Sequence, residues 1–554
     1  MNDLSKSLNA LIQESIKKNW DSMALSDMGG INYRYRDVAE TVAKIHIMFD
    51  AAGLKKGDHV AICGKNSSNW VVVLIACLTR GIVIVPILHE FKPDTVTHLV
   101  NHSGSKLLFI DPSIWENIDE KNLPDLVGVF YISEFGMPMS RNKKLLETHD
   151  HINGFFGEIY PRAFKREDVN YMIDSPEDLA VINYTSGSTG MSKGVMLPYR
   201  SIWGNIRYCL DNIDFLHAGD GVVNMLPLGH LYGMVIESLH PFCQGCNLNF
   251  LTRLPSPKVI LNAFAEVKPK LIITVPLILE KIIRSKVFPL LEKPLMKILL
   301  RIPVVDDHLL AKVRENLINA FGGQLRELII GGAPLNPEVE KFLYRINFPI
   351  TVGYGMTECG PLLTYAPASE SKPHSVGRMT DRMECRIDSP DPAQIPGNIW
   401  VRGTNVMLGY YKNEEATKEV MPDNSGWMNT GDMGIIDEDG FISILGRSKT
   451  MILGPSGQNI YPEEIEAKLN NLPYVAESLI IDNHGELEAL VYPDIENIEK
   501  ANIGESKVSQ IMEENLAALN LELPSYSKVK RLKIMREEFE KTPKRSIKRF
   551  LYQP

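Results

Sequence analysis

Short apolar runs rich in β-branched residues alternate with helical patterns through the first 330 residues of the chain. The clearest runs are HVAICG (59–64), GIVIVPI (81–87), KLLFID (106–111), LVGVFYI (126–132), DLAVINYT (178–185), GVVNMLPL (221–228), PKLIITVP (269–276) and LRELIIGG (325–332). Helical stretches such as TVTHLVNHSG (95–104) lie between several of them. Because parallel strands need crossover connections, usually helices, this alternation predicts an α/β fold with a parallel sheet.

The character of the chain changes after about residue 395. GNIWVRGTNVMLGYY (397–411) and GFISILGR (440–447) are typical of short strands with glycine turns, and so predict a small antiparallel β subdomain. From about 448, a strand–turn, a helix, two strands and a second helix predict a further unit of α+β type. A chain of 554 residues is too long for one ordinary core. We therefore expect an N-terminal domain of parallel and mixed sheets with helices (1–447, β subdomain about 395–447) and a mobile α+β C-terminal domain (448–554).

Composition and charge bear on the partners of the protein. A net charge of −9 and a basic C-terminal stretch without interleaved aromatics argue against nucleic-acid binding. The apolar runs 70–78 and 81–88 are shorter than the roughly 20 residues of a spanning helix, and the charged start of the chain has no secretory pattern. We expect a cytoplasmic protein. The segment 288–305 is interpreted as an amphipathic surface helix, with peripheral contact at the inner membrane face as the alternative.

The seven cysteines are scattered in apolar surroundings, and their odd number indicates free thiols. Cys243 and Cys246 form a C-x-x-C pattern, but no second ligand pair for zinc lies nearby. We interpret them as buried small apolar residues rather than as a metal or redox site.

Glycine-rich loops after apolar runs carry most of the chemical signal. YTSGSTGMSKG (184–194) follows a strand, so its backbone N–H groups and hydroxyls can approach an anion, and Lys193 adds positive charge. The spacing differs from the P-loop pattern G-x-x-x-x-G-K-[ST]. Further glycine-containing stretches lie later in the chain: IIGGAPL (329–335), GYGMTECGPL (353–362) and WMNTGDMGIIDEDGFISILGRSKTMI (427–452). From residue types alone, Tyr354 can stack on a base and Glu358 can hold a divalent cation, whereas a packed tyrosine and a surface carboxylate are the plainer alternatives.

In this order, YTSGSTGMSKG, YGMTE, TGD and GRSKTMI resemble the adenylate-forming superfamily of acyl-CoA synthetases, peptide-synthetase adenylation domains and luciferases. The stretch 254–286 is further similar to long-chain fatty acyl-CoA ligases. The resemblance implies contacts to ATP phosphates from Thr185, Ser186, Gly187, Ser188, Thr189, Gly190 and Lys193. It implies an adenine site at Gly332, Ala333, Pro334, Tyr354 and Gly355, an α-phosphate contact at Thr357, Mg²⁺ at Glu358, and ribose contacts at Asp432 and Arg447. It also implies an acyl pocket and gate at His230, Tyr232 and Gly331, a hinge at Lys449 and a CoA tunnel at Gly457.

The activity implied by the resemblance is ATP-dependent activation of a medium-to-long-chain fatty acid. The acid becomes acyl-AMP and is then transferred to CoA, with AMP and pyrophosphate as the other products. ATP, Mg²⁺ and CoA are the implied cofactors and co-substrates. Two alternatives stay open: a ligase that loads an acyl carrier protein, and a weakly active or non-catalytic acyl-adenylate binder. The oligomeric state is open as well.

The C-terminal stretch TPKRSIKR (542–549) departs from the pattern T-P-T-G-K-I-x-R that the family carries. Aligned without gaps, it places Ser546 where the family has its adenylation lysine. Three interpretations stay open: Lys548 or Lys544 takes the role through a shifted loop, Arg545 substitutes, or adenylation is slow or lost. The long flexible side chain of a lysine favours the first interpretation, with Lys548 ahead of Lys544.

Overall fold

A central sheet of eight strands organises the first half of the protein. The computed structural model describes residues 7–185, 192–252, 256–291, 293–294, 296, 305–453, 458–542 and 547–553. Across the sheet the strands run in the order Gly409–Tyr410, Lys193–Pro198, Leu179–Thr185, Val83–Ile87, His59–Cys63, Leu107–Ile110, Gly128–Tyr131 and Met139–Ser140. The five strands from Leu179–Thr185 to Gly128–Tyr131 are parallel, and the outer pairings are antiparallel. The predicted α/β class is confirmed.

Two further sheets continue the parallel arrangement. One has the order Gly221–Asn224, Asn247–Phe250, Met23–Asp27 and Asn32–Arg34, with an antiparallel final pair. The other consists of Leu271–Thr274, Glu327–Ile330 and Ile350–Val352, all parallel. Every residue of Glu327–Ile330 is buried, as expected of a central parallel strand.

Helices connect and cover these sheets. Among the described residues up to 350, the helices other than short 3-10 turns are Leu8–Lys18, Tyr35–Ala51, Ser68–Arg80, Pro93–Ser103, Pro112–Trp115, Lys143–Asp150, Ile152–Ile159, Tyr199–Asn212, Tyr232–Leu239, His240–Gln244, Pro257–Val267, Pro276–Ile282, Ile283–Val287, Phe288–Leu291, Val305–Ala320 and Pro337–Arg345. Ser68–Arg80 contains the apolar run 70–78, which is too short to span a membrane. Ser67 caps its N-terminus and the left-handed Gly81 ends it, so the run is helical and buried on all sides.

Antiparallel sheets follow the parallel ones. One consists of Tyr354–Gly355, Leu362–Tyr365 and Arg378–Met379, and the other of Met383–Asp388, Gly397–Gly403, Met428–Ile436 and Ile442–Arg447. In the sequence, helix Glu414–Val420 lies between the second and third strands of the larger sheet. The larger sheet therefore begins at Met383 rather than at about 395. MECRID alternates strictly between apolar and polar residues, which is the pattern of a strand with one buried face, and it lies just before the predicted start of the subdomain.

The last hundred residues form a unit with its own apolar core, which includes Ile460, Leu469, Val491, Leu519 and Val529. Its elements are strands Ile452–Leu453, Asn459–Ile460, Val475–Asn483, Glu486–Pro493 and Val529–Ile534, and helices Pro462–Leu469, Ile495–Lys500 and Glu505–Glu522. Strand Val529–Ile534 lies in the basic stretch, which was not among the predicted strands of this unit. It pairs in parallel with Glu486–Pro493 at the edge of the sheet, where charged side chains face solvent. The domain boundary at 447/448 remains our proposal.

The membrane-related predictions concern the helices. Among the described residues, no helix has the length and apolar character needed to cross a bilayer. Most of the segment 288–305 lies outside the described residues, so its surface or membrane role stays a prediction. All seven cysteines are free. Burial raises the pKa of the Cys243 thiol to about 12 and that of Cys246 further, which fits apolar packing rather than redox chemistry.

Candidate active site

A cavity of about 70 Å³ lies where loops after two parallel strands face helix Tyr199–Asn212. Gly331 and Gly332 follow strand Glu327–Ile330, and Gly353 follows Ile350–Val352. Tyr208 and Cys209 approach from the helix. Since ligands in open α/β sheets bind at the carboxyl ends of the strands, this cavity is where a substrate is expected.

Close backbone contacts explain two glycines of the site. A Cβ on Gly355 would stand 2.2 Å from the carbonyl oxygen of Pro361, so a larger residue would force the two strands of this hairpin apart. A Cβ on Gly331 would stand 3.1 Å from the ring of Tyr232. The Tyr232 hydroxyl donates to the carbonyls of Thr274 and Ile329 at 3.5 and 3.3 Å, both long for O–H···O bonds. The predicted gate residue therefore lies against the glycine loop and is weakly tethered.

A short polar chain joins one wall of the cavity to the antiparallel sheet. The Tyr354 hydroxyl donates to Oδ2 of Asp432 at 2.5 Å, and Nε of Arg447 lies 2.8 Å from Oδ1. Asp432 and Arg447 face each other in adjacent antiparallel strands. Burial raises the pKa of Asp432, and the positive charge of Arg447 opposes that rise. The structure thus brings together three residues that the resemblance assigns to the adenosine.

A second cluster contains Glu358, in the short helix Thr357–Cys359. The Tyr410 hydroxyl donates to Oε1 of Glu358 at 2.8 Å, and Nζ of Lys193 lies 4.9 Å from the centre of the Tyr410 ring. Strand Gly409–Tyr410 pairs with Lys193–Pro198, which explains how these distant parts of the sequence meet. Thr185 ends the adjacent strand, and its hydroxyl donates to the carbonyl of Lys193 at 3.5 Å.

The chemistry of the Glu358 cluster fits a nucleotide-bound Mg²⁺. No described group of three or more His, Cys, Asp or Glu side chains could hold a metal by itself. Mg²⁺ at phosphate sites commonly uses one or two carboxylates together with phosphate oxygens and water. Oε2 of Glu358 accepts no hydrogen bond from the described residues, so one oxygen of that carboxylate could ligate the cation.

The remaining predicted residues fall in several places. Gly332, Ala333 and Pro334 form an exposed loop at the mouth of the cavity, and Thr357 is half-buried beside Glu358. His230 is half-buried, two residues before Tyr232. Lys449 is exposed and pairs with Glu419 at 2.5 Å. Ser186, Gly187, Ser188, Thr189, Gly190, Gly457 and Lys544 lie outside the described residues.

The described residues on either side of 543–546 contact one another. Lys541 and Ile547 are paired antiparallel, and the amide of Lys548 donates to the carbonyl of Glu540 at 2.8 Å. Nζ of Lys548 lies 3.2 Å from the exposed carboxylate of Glu540. The described residues Lys541, Ile547 and Lys548 thus contact residues of the same unit.

Sequence reasoning missed Tyr410, Tyr208, Tyr365 and Glu327 as site residues. Tyr365 lines the cavity, its hydroxyl donates to Glu327 at 2.7 Å, and its ring meets that of Tyr208 edge to face with the ring centres 6.2 Å apart. A tyrosine within an apolar run is usually a packing residue, so no local signal marked these. For Tyr410, the YY pair after a glycine was the one available hint.

Two solved structures illustrate the fold that this chain shares. ATP-bound MatB from Rhodopseudomonas palustris aligns with a TM-score of 0.77 at 23% identity, over 100% of this chain and 98% of that one. The anthranilate CoA ligase AuaEII in complex with anthranoyl-AMP aligns with a TM-score of 0.76 at 18% identity, over 99% and 96%. At these identities the likeness establishes the shared fold.

The sequence pattern of the AMP-binding enzyme family matches residues 12–411, and the chain belongs to that family. Probable 4-coumarate–CoA ligase 1 of Dictyostelium discoideum is 28% identical over 491 residues, 86% of this chain and 83% of the relative. The long-chain-fatty-acid–CoA ligase of Escherichia coli O157:H7 is 26% identical over 498 residues, 86% and 82%. The resemblance seen in the sequence is confirmed at the level of the family, and ATP binding follows from it. These relatives support activity as an acid–CoA ligase.

Proposed function

We propose that this protein activates an apolar carboxylic acid, a medium-to-long-chain fatty acid, with ATP and transfers the acyl group to CoA. The observation that carries the proposal is the apolar cavity that adjoins Tyr354. None of the described residues lining it is charged. An acid with an apolar body would gain roughly 0.8 kcal/mol for each methylene buried there.

The size of the cavity bears on the chain length of the acid. At about 70 Å³ it is far smaller than the roughly 300–1,000 Å³ of typical ligand pockets. Two of the tyrosines that line the cavity differ in how they are held. The Tyr365 hydroxyl makes a short hydrogen bond to Glu327, whereas the hydrogen bonds of the Tyr232 hydroxyl are long. We infer that a fatty chain enters by displacing Tyr232 and that Tyr208 and Tyr365 close the far end.

A compact aromatic acid is the second candidate substrate. The cavity as observed is small and walled by three tyrosine rings besides Tyr354, which suits a flat ring better than a flexible chain. The similarity to 4-coumarate–CoA ligases agrees with this alternative.

The proposed chemistry needs no general base in its first step, because a carboxylic acid is already ionised near neutral pH. A carboxylate oxygen attacks the α-phosphorus of ATP in line; the bond to the bridging oxygen breaks, and acyl-AMP and pyrophosphate form. The CoA thiol then attacks the acyl carbon, loses its proton, and expels AMP.

In the proposed assignment, this chain's residues mainly bind, orient and neutralise charge. Asp432 holds the ribose hydroxyls and is itself oriented by Arg447 and Tyr354. Lys193 and Thr357 face the phosphates, and Tyr410 orients Glu358. Glu358 would hold Mg²⁺, which supplies neutralisation of phosphate charge when bound. Lys449 would be the hinge for movement of the C-terminal unit between the two steps.

The decisive experiment is a pyrophosphate-release panel over straight-chain acids of increasing length and 4-coumarate, with CoA, a carrier protein or neither as acceptor. We expect activity to peak at medium to long chains and thioester to form with CoA. Activity on 4-coumarate alone would favour the aromatic candidate, and thioester on the carrier protein alone would contradict the CoA proposal. If no acid gives pyrophosphate release, the proposed acid-activating activity is wrong.

A variant of a cavity residue and a matched control variant distinguish an effect on cavity size from a general loss of activity. Tyr208→Ala should move the preferred acid to longer chains, because it opens the far end of the cavity, while the KM for ATP stays unchanged. Tyr344→Phe is the control, since Tyr344 donates to or accepts from Ser371 outside the cavity. An unchanged chain-length profile in Tyr208→Ala would show that Tyr208 does not limit the pocket.

A further inference from the structure

A continuous line of polar contacts runs from the proposed ribose site to the base of the C-terminal loop. It starts with Asp432 and Arg447, described above. The Thr450 hydroxyl lies 3.1 Å from the carbonyl oxygen of Arg447 and donates to Oε1 of Glu463 at 2.7 Å. Thr450 is the residue after Lys449, so this contact lies at the proposed hinge.

Glu463 also contacts the other end of the C-terminal unit. It lies in the first turn of helix Pro462–Leu469, and the same Oε1 atom is 3.5 Å from the guanidinium of Arg549. Arg549 pairs more closely with Glu466, one turn further along the helix. Because Arg549 directly follows Lys548, the contacts of Arg549 hold the backbone beside that lysine.

The Glu463 carboxylate is partly buried, so the loss of one of its contacts is expected to be costly. Three quarters of its side chain is covered, and Oε2 is buried without a hydrogen-bond partner among the described residues. A carboxylate in such a place depends on its remaining partners, because an unpaired buried charge is costly. Burial is the main cause of the raised pKa of Asp432, and the charge of Asp432 is the main cause of the raised pKa of Arg447; the charge of Glu463 adds a smaller contribution to both. Glu463 therefore interacts with groups on both sides of the hinge.

We propose that Glu463 is a positioning residue that links the hinge at Thr450 to Arg549 and so positions the neighbouring Lys548 for formation of acyl-AMP. This inference rests on the proposed function, since it concerns the first of its two steps. It goes further by assigning the placement of Lys548 to a contact that spans the hinge. A merely structural glutamate would affect both steps alike.

The test measures the two steps separately. In Glu463→Ala, we expect acid-dependent ATP–pyrophosphate exchange to fall about tenfold, the effect of losing a partly buried charge-assisted hydrogen bond. Transfer of supplied acyl-AMP to CoA should fall less than about twofold, because that step does not use the loop in this position. Thr450→Val, which removes the hydroxyl alone, should lower exchange in the same direction. Glu464→Gln, next to Glu463 but exposed, is the matched control.

A structural readout keeps the outcomes distinct. Hydrogen exchange of the peptide covering 547–553 should accelerate in Glu463→Ala and in the milder Glu463→Gln, since Arg549 loses a partner. Equal loss of both steps, or loss of neither, would overturn the inference, and so would unchanged hydrogen exchange. If the wild-type protein shows no ATP–pyrophosphate exchange with any acid, the proposed function is wrong. Accelerated amide hydrogen exchange in the variants would then support the contact of Glu463 with Arg549 but not a catalytic role for it.

Discussion

Ser546 stands where the family resemblance places a cationic side chain, and the nearest described lysine is Lys548. The Lys548 ammonium pairs with Glu540 at 3.2 Å in an exposed position, where such pairs contribute little. It can therefore leave Glu540 for a phosphate at small cost. Lys544, on the other side of Ser546, is the alternative.

We expect Lys548→Ala to lower pyrophosphate exchange by about 10²-fold, the usual scale for losing a group that stabilises transition-state charge. Ser546→Lys should raise the rate of the Lys548→Ala variant. Lys530→Ala removes a comparable surface lysine, paired with Glu486, and should change nothing. If Lys544→Ala has the larger effect, the assignment moves to Lys544; if neither variant matters, the first interpretation of this loop is wrong.

Tyr410 is expected to tune the affinity for Mg²⁺ through Glu358. In Tyr410→Phe, Glu358 loses its 2.8 Å hydrogen bond and becomes less well oriented. The Mg²⁺ concentration for half-maximal pyrophosphate release should rise about tenfold, as for a hydrogen bond to a charged group. Tyr411→Phe is the control, because the Tyr411 hydroxyl contacts the carbonyl of Ser103 at 3.5 Å. An unshifted Mg²⁺ titration would remove Tyr410 from the site.

At the scale of the element, strand Glu327–Ile330 carries a carboxylate into the core. Glu327 is 4% exposed, and burial raises its pKa to about 7, although the hydrogen bond from Tyr365 opposes the rise. In the unfolded chain its pKa is near the ordinary value of 4.5. The unfolded state thus releases the proton at lower pH than the folded state does.

Stability should therefore decline as pH rises from about 4.5 to 7. Relative to Glu327→Gln, the wild-type free energy of unfolding should fall by about 3 kcal/mol over this window and level off above it. Denaturant unfolding at pH 5, 6, 7 and 8 measures the difference. Glu370→Gln, an exposed carboxylate paired with Arg378, should show no such trend. A pH-independent difference between wild type and Glu327→Gln would contradict the raised pKa.

For the whole molecule, the proposed hinge predicts a site of proteolysis. The side chain of Lys449 is 69% exposed, and the described residue Leu453 beyond it is 68% exposed. Trypsin should cut after Lys449 early and give two fragments, and ATP with an apolar acid should slow the cut if the C-terminal unit closes on the site. Lys449→Gln should abolish this cleavage selectively. Early cleavage elsewhere, with Lys449 intact, would contradict the hinge.

Much of the architecture could be predicted because it depends on local patterns. The parallel strands are apolar runs, since both faces are buried, and helix Ser68–Arg80 carries its own capping signals at Ser67 and Gly81. Strands with charged residues were harder. Met383–Asp388 alternates between apolar and polar residues but lies before the predicted start of the β subdomain, whereas Val529–Ile534 has three charged residues and no regular alternation; neither pattern reveals the partner strand.

The sequence by itself determined the α/β class, the glycine loops after the strands and membership of the AMP-binding enzyme family, because each depends on residue order over short distances. Only the tertiary structure decided which side chains meet: Tyr410 with Glu358, Tyr365 with Glu327, and Glu463 with both Thr450 and Arg549. These partners lie between 13 residues apart (Thr450 and Glu463) and 86 residues apart (Glu463 and Arg549) in the sequence. Strand pairing and burial bring them together, and no local pattern records such a contact.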